Sequence, residues 1–300
     1  MFGGLSMLGT GTSLEYTLEQ WSKPASNSEE EKCENALRMI KKAIGNSQDL
    51  SKFTIKFIPQ GSYHNNTNVR LNSDVDIAIK LTDTFYANYP EGTTKSDFGN
   101  SSSEYTFEKY RQSIEQALIA TFGSASITFG DKSIKIRSNT YRVDADAVPC
   151  FEHRRYNKDG TYITGTEFRT RSLNEKVINF PEQHYENGVR KNNITNRKYK
   201  RIVRILKRLR NKMKDEGYEV DNIPSFLIEC LVWNVPNHYL NTGSHSNDLK
   251  GSLTYLIQNT SGYDLCKEWG EVSELLYLFR SKYSYTEVNK FLREAYNFVF

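Results

Sequence analysis

The stretch Gln60-Gly61-Ser62-Tyr63, followed after a polar loop by Asp74-Val75-Asp76-Ile77-Ala78-Ile79, decides how this chain is read. Val75, Ile77 and Ile79 alternate with Asp74, Asp76 and Ala78, the period of a β-strand. Asp74 and Asp76 are then two residues apart on one strand face. Two carboxylates side by side repel each other, so one must keep a proton or a cation must sit between them. Hard oxygen ligands at this spacing suit Mg²⁺ or Mn²⁺. The Gly61-Ser62 turn offers backbone N–H groups and a hydroxyl that can hold phosphate oxygens. Taken alone, the same residues also fit a solvated strand face behind a simple turn.

A third acidic element strengthens the first reading. In Tyr141-Arg142-Val143-Asp144-Ala145-Asp146-Ala147-Val148-Pro149, Asp144 and Asp146 share one face and Val143 and Ala145 the other. Two Asp residues in an otherwise apolar strand are costly to bury without a partner. A metal shared with Asp74 and Asp76 removes that cost. The alternative is an edge strand with a wet face. Polyphosphate, two divalent ions and a nearby hydroxyl are the setting of two-metal phosphoryl transfer.

Outward from these strands, helical spacing predicts a short helix near Leu14 to Trp21. A second runs from the capping box Ser28-Glu29-Glu30-Glu31 through Cys33, Ala36, Leu37, Ile40, Ala43 and Ile44 to Gly45. Phe53 to Ile58 reads as a strand and Gly61 to Ser73 as a polar loop. Tyr86 to Ser103, rich in Asn, Gly, Ser and Thr, reads as mobile. Tyr105 to Phe122 is a helix. Ile127–Phe129, Ile134–Ile136 and Tyr141–Val148 are strands, the last ending at Pro149. Beyond Asn196 the reading is helical: Arg197 to Lys214, Pro224 to Val235, Leu249 to Gln258, Val272 to Phe279 and Thr286 to Phe298. The helix Arg197 to Lys214 holds ten Lys or Arg and no acid. Tyr199, Ile202, Val203, Leu206, Leu209 and Met213 form its buried stripe. Lys200, Arg204, Lys207 and Asn211 line one margin of that stripe. One or two of these suit triphosphate oxygens, while the rest, Arg201 and Arg208 among them, read as solvated charge. The same run is also compatible with a nucleic-acid track.

Composition bounds the rest. Of 300 residues, 37% are hydrophobic and 13% aromatic, enough for a sizeable core and against a disordered chain. The net charge of +4 does not by itself imply a nucleic-acid partner. No run approaches the ~18 apolar residues of a membrane span. The first residues lack the pattern of a secretory signal. Cys33, Cys150, Cys230 and Cys266 are widely spaced and read as reduced, mostly buried thiols. A cytoplasmic protein is the expectation.

Gly61-Ser62, Asp74-Val75-Asp76 and Asp146-Ala147-Val148-Pro149 together resemble the DNA polymerase β-type nucleotidyltransferase signature. Within it the chain is similar to the bacterial CD-NTases, the relatives of cyclic GMP-AMP synthase, and to their CdnE-like branch. In that family the third carboxylate stands three residues before the Pro, which selects Asp146 over Asp144. Arg204-Ile205-Leu206-Lys207-Arg208-Leu209 resembles the helix whose Lys binds triphosphate, here Lys207. Pro224-Ser225-Phe226-Leu227-Ile228-Glu229 resembles the start of a helix lining the nucleotide pocket, which adds Ser225.

The resemblance implies an α+β chain. A polymerase β-like lobe, residues 1–180, would be followed by a helical lobe, residues 181–300, with the active site in the cleft between them. It implies two Mg²⁺ (or Mn²⁺) ions on Asp74, Asp76 and Asp146, with Gly61 and Ser62 on the triphosphate. It further implies synthesis of a cyclic oligonucleotide, a dinucleotide first of all, from nucleoside triphosphates with release of pyrophosphate. The setting would be anti-phage signalling (CBASS) through a product-responsive effector protein. A monomer is expected, without membrane contact and without activation by DNA or RNA. The rival readings are a linear oligonucleotide synthetase, an RNA or tRNA nucleotidyltransferase, and a non-catalytic nucleic-acid-binding module.

Overall fold

The computed structural model describes residues 11–24, 27–69, 74–280 and 282–300. Residues 1–10, the side chains of Ser28, Glu29 and Glu30 in the capping box, and the end of the polar loop, residues 70–73, lie outside the described residues. The chain divides into two compact units. One comprises Ser26–His64 and Asn72–Glu182. The other comprises Met1–Ala25, Asn65–Leu71 and Gln183–Phe300.

The first unit is a mixed sheet with helices. In chain order it holds α2 (Asn27–Gly45), β1 (Ile55–Gln60), the single turn α3 (Gly61–His64), β2 (Val75–Asn88) and α4 (Phe107–Phe122). Then come β3 (Ile127–Phe129), β4 (Ile134–Ile136), β5 (Ala145–Tyr156), β6 (Tyr162–Arg169) and β7 (Lys176–Asn179). The strand order is β1-β2-β5-β4-β3, with β6 paired to the far half of β5 and β7 to β6. β2 and β5 run parallel and the other pairs antiparallel. The stripe Cys33, Ala36, Ile40, Ala43 and Ile44 of α2 packs with Tyr110, Ile114 and Leu118 of α4 on Ile77, Ile79 and Ala147. This is the helical spacing read from the sequence, buried as a layer against the sheet.

Three features depart from expectation. β5 does not stop at Pro149 but continues to Tyr156. Its pairing to β4 ends at Ala147 and its pairing to β6 begins at Phe151. Pro149 thus falls where β5 has a partner on the β2 side only, and its missing donor costs little. Second, β6 and β7 were not anticipated. Third, the segment read as mobile carries the end of β2 and a 3₁₀ turn at Lys95–Phe98. Tyr89 stacks there on Phe98 and Tyr156, with ring centroids 5.3 Å apart in each case.

The second unit is helical: α1 (Gly11–Ser22), α5 (Pro181–Ile194), α6 (Lys198–Asp215), α7 (Ser225–Trp233), α8 (His245–Asn259), α9 (Tyr263–Cys266) and α10 (Tyr285–Val299). Leu14 and Leu18 of α1 join the core built on Ile202, Leu206 and Leu209 of α6, so α1 groups with the helices and not with the sheet. Arg208, read as solvated, donates to the carbonyls of Gln20, Trp21 and Lys23 and closes the end of α1. Val272–Phe279 is not a helix. Its apolar spacing mimics one, but Gly270 and Tyr277 form a bridge, and Glu274 at φ 61° turns the chain between them. All four cysteines are buried thiols. No helix among the described residues is long and apolar enough to cross a membrane.

Candidate functional site

β2 and β5 bring the acidic residues together. Their parallel register pairs Asp76 with Asp146, so both carboxylates lie on one face of adjacent strands. Val75 and Ile77, and Ala145 and Ala147, are buried on the opposite face. That alternation holds the Asp side chains out of the core. Asp74 is exposed, one residue before β2. The Asp144 carboxylate accepts the Ser138 N–H, and its carbonyl accepts Val75 N–H at 3.0 Å. Asp144 is therefore occupied with fixing the strand entry, whereas Asp146 is not.

Gly61 follows β1 directly, and Gln60 sits opposite Asp76 in the β1–β2 register. Gly61 has φ +75°, a conformation that favours glycine. A Cβ there would stand 1.9 Å from Asp76 Oδ2. The Gly-Ser turn is thus pressed against the central carboxylate, which explains the glycine independently of its conformation.

The electrostatics follow from this crowding. Burial, then Asp146 and Asp74, push the Asp76 carboxyl up to about 7. Burial also raises Asp146. Lys135 and Ser133 oppose that rise, while Asp74 and Asp144 add to it. Lys135 pairs with Asp146 across β4 and β5 and was missed from the sequence. The available signal was its place between Ile134 and Ile136, which are buried on the other face. Asp74, Lys135, Arg137, Asp144 and Asp146 line a pocket of about 240 Å³ with Ser126 and Thr128. Among the described residues no three His, Cys, Asp or Glu side chains meet closely enough to cage an ion. The donor chemistry still fits a hard cation, because burial and neighbouring carboxylates raise both Asp76 and Asp146, opposed at Asp146 by Lys135 and Ser133.

This crowding has a pH signature. An unfolded chain releases the Asp76 proton near pH 4, and the folded, metal-free chain keeps it to about 7. The stability from this group is complete below about pH 4 and is lost as pH rises through about 7. The melting temperature in EDTA is expected to fall between pH 5 and pH 8, with Asp76→Asn flattening the slope. An identical slope in the variant would contradict the assignment.

The other two sequence candidates lie in the helical unit. Lys207 is 1% exposed and Glu229 3%. The Lys207 ammonium donates to Glu229 Oε1, to the Thr67 carbonyl at 3.2 Å and to Thr67 Oγ1 at 3.1 Å. Glu229 also accepts from Thr67 Oγ1 and, at 3.3 Å, from Asn65 Nδ2, and it meets His184 Nε2 at 3.1 Å. Burial pushes the Glu229 carboxyl up, but Lys207 and His184 outweigh it and hold the group far below the usual range. Removing one partner of such a pair leaves a buried charge and costs about 3–5 kcal/mol. Lys207→Ala and Glu229→Ala should each lower the melting temperature by several degrees, and the double variant by less than the sum. Strict additivity would show that the pair is not coupled. Ser225 opens α7, and its hydroxyl accepts from Arg210 Nη2 at 3.2 Å.

Paired strand carboxylates behind a Gly-Ser turn, on a polymerase β-like mixed sheet with a helical C-terminal domain, define a nucleotidyltransferase. The cGAS/DncV-like nucleotidyltransferase C-terminal helical domain matches residues 186–300. The chain is 46% identical to the cyclic dipyrimidine nucleotide synthase CdnE of Cecembia lonarensis, over 94% of this chain and 97% of that protein. It is 40% identical to the synthase of the same name from Legionella pneumophila, over 95% and 97%. Among solved structures, it superposes on the Elizabethkingia meningoseptica CdnE cyclic dinucleotide synthase, in complex with GTP and Apcpp. The TM-score is 0.79 at 33% identity, over 95% of this chain and 98% of that one. The chain belongs to the cGAS/DncV-like nucleotidyltransferases, the CD-NTases, and its relatives place it with their CdnE-type synthases.

Proposed function

We propose that this enzyme joins nucleoside triphosphates into a cyclic dinucleotide of pyrimidine type, releasing pyrophosphate. The observation that carries the reaction class is the register pairing of Asp76 with Asp146 beside Gly61. The pyrimidine reading is supported by the two relatives at 46% and 40% identity, both cyclic dipyrimidine nucleotide synthases. The cyclic dipurine nucleotide synthase of Elizabethkingia meningoseptica is 35% identical. A role in anti-phage signalling through a product-responsive effector belongs to the same reading.

Asp74, Asp76 and Asp146 would hold divalent ions, Mg²⁺ or Mn²⁺. When bound, these neutralise phosphate charge and lower the pKa of an attacking hydroxyl. The chain's own groups do the remaining work. The Gly61 N–H and the Ser62 hydroxyl donate to phosphate oxygens. The carboxylate face of β2 and β5 orients the ribose hydroxyl toward the α-phosphate for in-line attack. A second turn of the same step closes the ring. Lys207 and Ser225 are proposed as further triphosphate contacts. For Lys207 this requires the ammonium to exchange a Thr67 oxygen for a phosphate oxygen while keeping Glu229.

Pyrophosphate release from each NTP alone and in pairs tests this reading. Turnover is expected with UTP or CTP and Mg²⁺ or Mn²⁺, without primer or template, and none in EDTA. Turnover only with a purine pair would overturn the pyrimidine assignment, and turnover only with added RNA would overturn the synthase reading.

A further inference from the structure

A second pocket of about 240 Å³ lies wholly on the helical unit. Its lining carries five cations, Lys23, Arg197, Lys200, Arg201 and Arg204, against one carboxylate, Glu19. Glu19 is already used, since its Oε2 lies 2.7 Å from His245 Nε2. Among the described residues none of the five cations makes an ion pair.

Arg204 is the best-placed member. It is 5% exposed. Its Nε donates to the Ser22 carbonyl and its Nη1 to the Asn66 carbonyl, both at 2.6 Å. Those two bonds fix the guanidinium, and its Nη2 has no hydrogen-bond partner among the described residues. Burial, then Arg208 and Arg201, pull this guanidinium down to about 10. Lys200 is also pulled down, first by burial, then by Arg204 against the pull of Glu229. Arg204 is buried and Lys200 half-buried, and the two repel each other, so a bound anion between them is stabilising. The volume is below the roughly 300–1,000 Å³ of sites for drug-sized ligands, which favours a compact anion.

We propose that this pocket is a phosphate-class anion site of the helical unit, taking a short polyphosphate such as pyrophosphate or tripolyphosphate. It is built from residues that include none of Asp74, Asp76 or Asp146. Arg204 ties it to the backbone of Asn66, four residues after Ser62 in the chain. An anion drawn to Arg204 therefore acts on the loop that follows the Gly-Ser turn.

Calorimetric titration of the full chain with tripolyphosphate, in EDTA and at two salt concentrations, tests the site. Saturable binding at one site per chain is expected, weakened by ~10-fold or more in Lys200→Ala/Arg201→Ala, because charge-assisted contacts are lost. The ligand-free melting temperature of that variant should match the parent. Should it fail to fold, Lys23→Gln/Arg197→Gln supplies the same comparison from other lining residues. Binding should persist in Asp74→Asn/Asp76→Asn, which separates this site from the proposed catalytic one. Absence of saturable binding, or equal binding by the pocket variants, would overturn the proposal. So would complete displacement by a non-hydrolysable NTP with Mg²⁺, which would make the pocket part of the substrate site. Preference for duplex nucleic acid that tripolyphosphate does not compete away would also overturn it.

Discussion

Asp146→Asn is expected to lower product formation by at least ~10²-fold, the scale on which a preorganised charge at a reacting centre is lost. Asp144→Asn is expected to leave most of it. The two residues are one strand step apart, and sequence alone gives each a carboxylate on the same face. The structure gives them different surroundings. Asp146 pairs in register with Asp76, and its carboxyl is raised by burial with Asp74 contributing. Asp144 precedes β5, and its carboxylate is capped by the Ser138 N–H. Losing Asp144 should instead loosen the strand entry, read as a lower melting temperature with turnover largely kept. The measurement is initial-rate pyrophosphate release beside a melting curve for each variant. Asp144→Asn as the less active of the two would show that the third carboxylate was assigned one register position off.

Gly61→Ala is expected to cost a similar factor in turnover through a different cause. Its φ of +75° costs an L-residue about 1–2 kcal/mol. That alone predicts a modestly lower melting temperature. The larger effect is local. The new methyl would overlap Asp76 Oδ2 at 1.9 Å and crowd its Cγ at 2.8 Å, so the carboxylate must swing away. A displacement of about 1 Å at a reacting centre costs on the order of 10²-fold. The variant should therefore fold and still turn over poorly, with kcat affected more than KM. Parental kcat in Gly61→Ala would show that Asp76 does not act from this position.

The carboxylate face of β2 and β5 was legible in the sequence because period-two alternation is local. Val75, Ile77 and Ile79, and likewise Ala145 and Ala147, fix which face the Asp residues take before any tertiary contact is known. The helical stripes of α2, α4 and α6 were legible for the same reason. What escaped depends on partners distant in sequence. Pro149 reads as a strand end unless one knows that β4 and β6 leave a gap on that side. Val272–Phe279 has helical apolar spacing, yet a turn at Glu274 and a bridge to Gly270 use the same residues otherwise. Lys207 read as a phosphate ligand at a helix margin. That Glu229, 22 positions later, and Thr67, 140 positions earlier, hold its ammonium is visible only in three dimensions. Arg208 looked solvated because its acceptors belong to α1.

Mass spectrometry of the product formed from the four NTPs with Mg²⁺ or Mn²⁺ tests the central claim most directly. The account predicts a phosphatase-resistant cyclic dinucleotide of two pyrimidines, absent in EDTA and in Asp76→Asn. A linear oligonucleotide with a terminal triphosphate, or nucleotides added only to an RNA end, would contradict it.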